Sequence, residues 1–335
     1  MATRPNIEST PAALRFGDLR GHDQAVAFLR RAWERGRLAQ AYFFAGVAGI
    51  GKLATARALA MGLHCDTAPF DACGACSACR TIAAGTHPDV RVIAGPLAEK
   101  RDISIEQVRE LQRELSYRSL GSHPKIGIVN DAHLLTIQAQ NALLKTLEEP
   151  PGNTLLVLIA VNASNLASTI LSRCQRVSFH PLTPTAVAEI LERHGRPPSE
   201  AAAIAAYAEG SPGRALDLDP DFFATRRREL LRRLSGLRAA DFRQIAEFAQ
   251  ELATEEKDLG PVLTVISSWY RDALRRLVLG QQAALQNVDL ADSLPELPIT
   301  RSLRNLATTY GTMSTLRQNA NRNLALTAML LQLAE

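Results

Sequence analysis

The sequence predicts an α/β fold built on a parallel sheet, followed by a region made of helices alone. Three observations carry this. Short apolar runs alternate with amphipathic stretches through the first half of the chain. Those runs are continuously apolar rather than alternating, as strands covered on both faces must be. Beyond Phe179 the β-branched runs stop and Leu/Ala/Arg-rich helical periodicity takes over. A length of 335 residues accommodates two or three domains.

In order, an amphipathic helix is predicted over residues 23–34 and a strand over 41–45, which runs into a glycine-rich loop and a helix over 52–64. After a cysteine-rich loop comes a short apolar stretch, 90–93. A helix follows that opens on a capping box, Ser104-Ile105-Glu106-Gln107, and carries Ile105, Val108, Leu111 and Leu115 on one face. Residues 125–130 read as a buried strand, 136–148 as a helix stopped by Pro150-Pro151, and 155–161 and 176–179 as two further strands. Strand after helix after strand implies parallel pairing, because parallel neighbours need a crossover. Residues 181–218 form a small helical unit, with Thr183 as cap, Pro184 in the first turn and Gly210-Ser211-Pro212-Gly213 as punctuation before Arg214. From Asp221 long helices run to the end with a break at Pro295 and Pro298. The division predicted is 1–180, with an inserted module at about 64–88, then 181–219, then 220–335.

A formal net charge of +4 is a mild basic excess, too small to imply nucleic acid by itself. The clusters Arg226-Arg227-Arg228, Arg232-Arg233 and Arg275-Arg276 place successive arginines on different helix faces, which suits solvated or salt-bridged surfaces better than a DNA stripe. The polar tract 316–323, inside an otherwise apolar stretch, reads as a buried hydrogen-bonding seam of a helix. The longest apolar run, 155–161, is far short of the ~20 residues that span a bilayer, and a basic-then-apolar leader is not seen, so the expected compartment is the cytoplasm.

Two motifs carry chemistry. Gly46, Gly49, Gly51 and Lys52 lie in a phosphate-loop pattern, in which glycines let backbone N–H groups face phosphate and lysine neutralises the β/γ oxygens. The next position normally ligates magnesium through a hydroxyl, and here it is Leu53. Thr55 is no substitute, since two residues further along a helix is ~200° around the axis. The strand at 125–129 ends in Asn130-Asp131-Ala132-His133, where a hydrolysing site needs an acidic metal ligand followed by a water-orienting glutamate. Both losses predict weak or absent ATP binding and no turnover in cis.

The second motif is Cys65, Cys73, Cys76 and Cys79, whose close pairing suits a tetrahedral zinc ion. Four thiolates close the shell, so the zinc is expected to be structural rather than catalytic. His64 and His87 flank the cluster and read as loop or cap residues. Cys174 stands apart and reads as a small packed residue.

Asn130-Asp131-Ala132-His133, the tract Asn141-Ala142-Leu143-Leu144-Lys145-Thr146-Leu147-Glu148-Glu149-Pro150-Pro151, then Ser172-Arg173-Cys174 and Gly210-Ser211-Pro212-Gly213-Arg214 together resemble the AAA+ clamp-loader subunits of bacterial DNA polymerase III. The resemblance spans about residues 18–220 and includes the cysteine insert. It implies a RecA-like α/β nucleotide domain with a zinc module, a helical lid and an all-α collar that joins subunits in a ring. It also implies that Arg173 acts as an arginine finger in trans, that Arg214 resembles the nucleotide-sensing lid arginine, and that the partners are the tau/gamma and delta subunits, with the sliding clamp and primed DNA reached through the complex. Leu53 and Asn130 depart from the motor pattern and point to the member that does not hydrolyse ATP. The alternatives are an active gamma/tau-like ATPase, which those two departures oppose, and an unrelated zinc enzyme, which the closed cysteine shell opposes.

Overall fold

The computed structural model describes residues 15–95, 102–119, 121–256, 259–318 and 320–335; the opening fourteen residues of the predicted first domain lie outside this set. By contacts the chain forms two compact units, one of residues up to 195 together with 210–217, the other of 196–209 together with 218–335.

In the first unit the elements are α1 (Asp23–Glu34), β1 (Ala41–Ala45), α2 (Lys52–His64), α3 (Ser77–Ala83), β2 (Val90–Ile93), α4 (Ile105–Ser116), β3 (Lys125–Val129), α5 (Ile137–Glu148), β4 (Thr154–Ala160), α6 (Ser168–Leu171), β5 (Gln175–Ser178) and α7 (Pro184–Arg193). The five strands form one sheet, in the order β2-β3-β4-β1-β5, with every pairing parallel. β1, β3 and β4 are buried along their whole length, which is why their sequences show no alternation. The pleat nevertheless sorts their side chains. Ala41, Phe43 and Ala45 of β1 join Leu156, Leu158 and Ala160 of β4 in a core closed by Val108, Leu111 and Leu115 of α4 and Ala139 and Leu143 of α5. Tyr42 and Phe44 face the other way, where Phe44 meets Phe179 at 5.0 Å.

Gln107 Oε1 accepts the Ser104 N–H at 3.0 Å, so the predicted capping box forms. Thr136 caps α5 by accepting the Ala139 N–H at 3.2 Å.

The second unit contains α8 (Pro198–Tyr207), α10 (Arg227–Gly236), α11 (Phe242–Glu255), α12 (Gly260–Leu279), α13 (Ile299–Arg317) and α14 (Arg322–Ala334). The first unit's α9 (Pro212–Leu216) lies between α8 and α10 in sequence. α12 is the central element and buries Val262, Leu263, Val265, Ile266, Trp269 and Tyr270. Asp272, fully buried, accepts the Gln286 N–H at 3.0 Å and the Asn287 N–H at 2.7 Å. Asn287 Oδ1 in turn accepts from Arg227 at 2.9 Å, and that guanidinium lies 3.9 Å from the Phe223 ring centre and pairs with Asp289. Arg232 is spent on Glu229 at 2.7 Å and Arg233 on Glu251 at 2.6 Å, while Arg276 donates to the Gln281 amide oxygen at 2.8 Å.

The expected polar seam at 316–323 is corrected. α13 ends at Arg317 and α14 begins at Arg322, and Gln318 and Asn321 between them are exposed. Asn321 Oδ1 accepts the Leu324 N–H at 3.0 Å, so the asparagine that would be poor inside a helix caps a new one. Asn319 lies outside the described residues.

Gly62 ties the cysteine loop to α2. Its carbonyl accepts the Phe70 N–H at 2.8 Å, and a Cβ there would stand 2.0 Å from the Phe70 carbonyl oxygen. Alanine normally stabilises a helix interior relative to glycine by about 1 kcal/mol. Here Gly62→Ala is expected to destabilise by about 1–3 kcal/mol through overpacking, read as a lower midpoint in urea unfolding; a stabilised variant contradicts this packing.

Candidate functional site

The glycine loop joins β1 to α2 at the carboxyl edge of the sheet, where ligands of open α/β folds bind. Its carbonyls are engaged one after another. Lys52 Nζ donates to the Gly46 carbonyl at 2.6 Å and the Val47 carbonyl at 2.5 Å. Ser211 Oγ donates to the Ala48 carbonyl at 3.0 Å, and the Gly213 N–H to the Gly49 carbonyl at 2.8 Å. His22 Nε2 bonds the Ile50 carbonyl. Gly49 must be glycine twice over: its φ is +72°, and a Cβ would meet Ser211 Oγ at 2.4 Å. The Gly210-Ser211-Pro212-Gly213 turn therefore sits on the loop tip, and Ser211 caps α9, which carries Arg214, half-buried. Thus the structure brings Gly46, Gly49, Gly51, Lys52 and the Arg214 segment together.

The chemistry of this site is reduced. Lys52 is 6% exposed, and burial pulls its ammonium down to about 8, with the charge of Asp131 opposing the shift. Leu53 offers no oxygen. Thr55 spends its hydroxyl on the Gly51 carbonyl at 3.0 Å. Beyond β3, Asn130 Nδ2 donates to Asp131 Oδ2 at 3.0 Å, and Asp131 adopts a left-handed backbone, φ +55°. The nearest carboxylate thus answers to an amide neighbour where a metal site would set two acids.

Arg173 lies at the other edge. It precedes β5, whose Gln175 pairs with Tyr42 near the start of β1, whereas the glycine loop follows the end of β1. The intervening strand of five residues spans roughly 17 Å at ~3.3 Å per residue, so Arg173 does not serve the loop of its own chain. Its guanidinium donates to the Thr169 carbonyl at 2.9 Å and pairs with Glu148 at 2.8 Å while staying 37% exposed. Sequence reading missed Glu148, which it took only as part of a helix-ending motif. It also missed Gln140, which donates to the Leu135 carbonyl at 3.1 Å and the Asn165 carbonyl at 2.8 Å and accepts the Ala167 N–H at 2.9 Å, pinning the segment that leads to Arg173. The signal available was a lone glutamine at a core-facing position of α5. Cys174 is partly covered, and burial pushes its thiol up to about 11.

The four cysteine sulfurs converge, all within 4.8 Å of one another. Tetrahedral Zn–S bonds of ~2.3 Å place sulfurs about 3.8 Å apart, and Cys65 and Cys76 Sγ stand at 4.0 Å. Backbone N–H groups of Ala68 and Cys73 point at Cys65 Sγ at 3.3 and 3.2 Å, and those of Ala75 and Cys76 at Cys73 Sγ at 3.4 and 3.2 Å. Donors aimed at sulfur stabilise thiolates, and they hold Cys73 down to about 6, whereas burial pushes Cys79 up to about 12. Four thiolates at such spacing need a divalent cation among them, so the donor set fits zinc. The knuckle is packed into the core: Phe70 stacks on Phe16 at 4.6 Å, and Arg30 pairs with Asp71. His87 Nδ1 accepts the Asp89 N–H at 3.1 Å and so caps its own turn.

These features make a five-stranded parallel α/β domain with a phosphate-loop-like turn and its lysine at one edge, an arginine at the other and a four-cysteine insert. The family model for the DNA polymerase III delta subunit matches residues 21–183, and that for its C-terminal part matches 222–335. The chain is 38% identical over 168 residues to the DNA polymerase III subunit delta' of Bacillus subtilis, covering 50% of each chain. It is 44% identical over 141 residues to that of Pseudomonas aeruginosa, covering 42% of this chain and 43% of the relative. Subunit tau of B. subtilis matches at 33% over 174 residues, 52% of this chain and 30% of that one. The two family models together cover most of the chain, which belongs to the DNA polymerase III delta-subunit family, and it spans about half the length of the delta' relatives it matches.

Two outcomes are expected of this site. Calorimetric titration of the chain with ATP gives the same Kd with and without magnesium to within about threefold; a tenfold tightening by magnesium, ~1.4 kcal/mol, contradicts the geometry around Leu53 and Asn130. Purified chain carries zinc, and its removal by a chelator raises hydrogen exchange across residues 65–84 while β1, β3 and β4 stay protected; unchanged exchange in the knuckle contradicts a metal-held loop.

Proposed function

We propose that this chain is a clamp-loader subunit that does not hydrolyse ATP itself and presents Arg173 to the nucleotide of a neighbouring motor subunit. The observation that carries the reading is the split across the sheet: a phosphate loop without metal ligands at one edge and a half-exposed arginine at the other. A planar guanidinium contacts two γ-phosphate oxygens at once, and a finger supplied in trans is worth ~10³–10⁵ in phosphoryl transfer. The sites divide accordingly. Gly46, Gly49, Gly51 and Lys52 keep the shape of a phosphate loop, Arg214 packs the lid segment beside it, and Cys65, Cys73, Cys76 and Cys79 hold a structural zinc that fixes the loop against α1 and α2.

The partners in this reading are tau/gamma and delta subunits, with the sliding clamp and primed DNA engaged through the assembly in the cytoplasm. Residues 1–180 serve as the nucleotide-type domain, 181–219 as the lid and 220–335 as the collar. Among the described residues no helix is long and apolar enough to cross a membrane.

The reading is tested in the reconstituted loader, with clamp and primed DNA present. Arg173→Ala lowers stimulated ATP turnover by at least about tenfold while the isolated chain stays silent. Full turnover by the mutant assembly defeats the finger role, and robust hydrolysis by the isolated chain restores the gamma/tau-like alternative.

A further inference from the structure

We infer that Glu148 is a positioning residue for Arg173, so that the finger is set by this chain before it meets a partner. The inference rests on the trans role proposed above and adds to it the group that orients the guanidinium. Glu148 is the last residue of α5, and Arg173 lies just beyond α6. They meet because the end of α5 leads into β4 and the segment after α6 leads into β5, and both of those strands flank β1 at the same edge of the sheet.

An arginine on a short connection would otherwise sample many rotamers, and ordering it at the moment of catalysis costs entropy. Here two anchors fix it from different sides. One terminal nitrogen donates to the Thr169 carbonyl at 2.9 Å and reaches Ser172 Oγ at 3.5 Å. The other pairs with Glu148 Oε1 at 2.8 Å. The two hydrogen bonds leave three of the five guanidinium N–H donors, on Nε and the other terminal nitrogen, free of hydrogen bonds, and a bidentate grip on an anion uses two. The exposure of both side chains, 37% for Arg173 and 51% for Glu148, leaves that remaining face open to a neighbour. The Thr169 anchor is itself held, because Ala167 at the start of α6 donates to buried Gln140 at 2.9 Å. Glu148 thus completes a chain of contacts that runs from the sheet core to the guanidinium.

The test is ATP turnover by the reconstituted loader carrying Glu148→Ala, Glu148→Gln, Arg173→Ala or the Glu148→Ala/Arg173→Ala pair. Glu148→Ala is expected to lower kcat about three- to tenfold with KM for ATP unchanged, the scale of one exposed orienting contact. Glu148→Gln, which keeps an acceptor at the same reach, recovers part of that loss. In the Arg173→Ala background Glu148→Ala adds no further loss, and thermal midpoints of the variants match the parent. Unchanged or raised turnover with Glu148→Ala, or an equal loss in the Arg173→Ala background, overturns the positioning role while leaving the finger intact. Full activity of Arg173→Ala alone overturns the finger and this inference with it.

Discussion

A parallel sheet has two unlike ends, and what this chain offers chemically is divided between them. All carboxyl ends lie on one edge, so the turn after β1 gathers backbone donors and a lysine there. All amino ends lie on the other, and Arg173 enters β5 from that side. The separation is fixed by strand length rather than by any side chain, and it makes cis catalysis by Arg173 geometrically impossible. In the proposed reading such a chain works between neighbours, receiving on one edge and delivering on the other. Leu53 and Asn130 put neither a hydroxyl nor a carboxylate where a phosphate-loop site sets its metal ligands.

The glycine-loop edge is well made. Its carbonyls from Gly46 to Ile50 are each occupied, by Lys52, Ser211, Gly213 and His22. A loop bound on its outer side at every peptide loses the freedom to remodel around a nucleotide, and it becomes a rigid joint between the sheet and the 210–217 segment. The cysteine knuckle adds stiffness from the other direction, since Arg30 of α1 lies over the Phe70 ring and pairs with Asp71, and Gly62 allows it to lie directly on α2. Stiffness at both places suits the proposed role, in which Arg173 is held steady for a neighbour's nucleotide.

Much of this was legible in the sequence, for physical reasons that differ by element. β1, β3 and β4 announced themselves because strands buried on both faces must be continuously apolar, α4 because Ser104 opens a capping box before a periodic run, and α5 because Pro150-Pro151 stops it. The knuckle was legible because metal geometry demands close cysteine spacing. What stayed hidden depends on contacts distant in sequence. Ser211 reaching Ala48, His22 reaching Ile50 and Glu148 reaching Arg173 have no local signature, since an exposed glutamate at a helix end looks the same whether or not an arginine arrives beside it. The tract 316–323 was misjudged for the opposite reason: apolar periodicity on both sides concealed a turn that Asn321 alone announces.

The most direct measurement is a structure of the assembled loader bound to primed DNA, the clamp and a γ-phosphate transition-state mimic. The account predicts the Arg173 guanidinium within about 3 Å of the mimic in the neighbouring subunit's phosphate loop, still braced by Glu148, and no metal-bound triphosphate in this chain's own loop. An Arg173 side chain remote from every nucleotide, or a magnesium-bound triphosphate seated against Leu53, contradicts it.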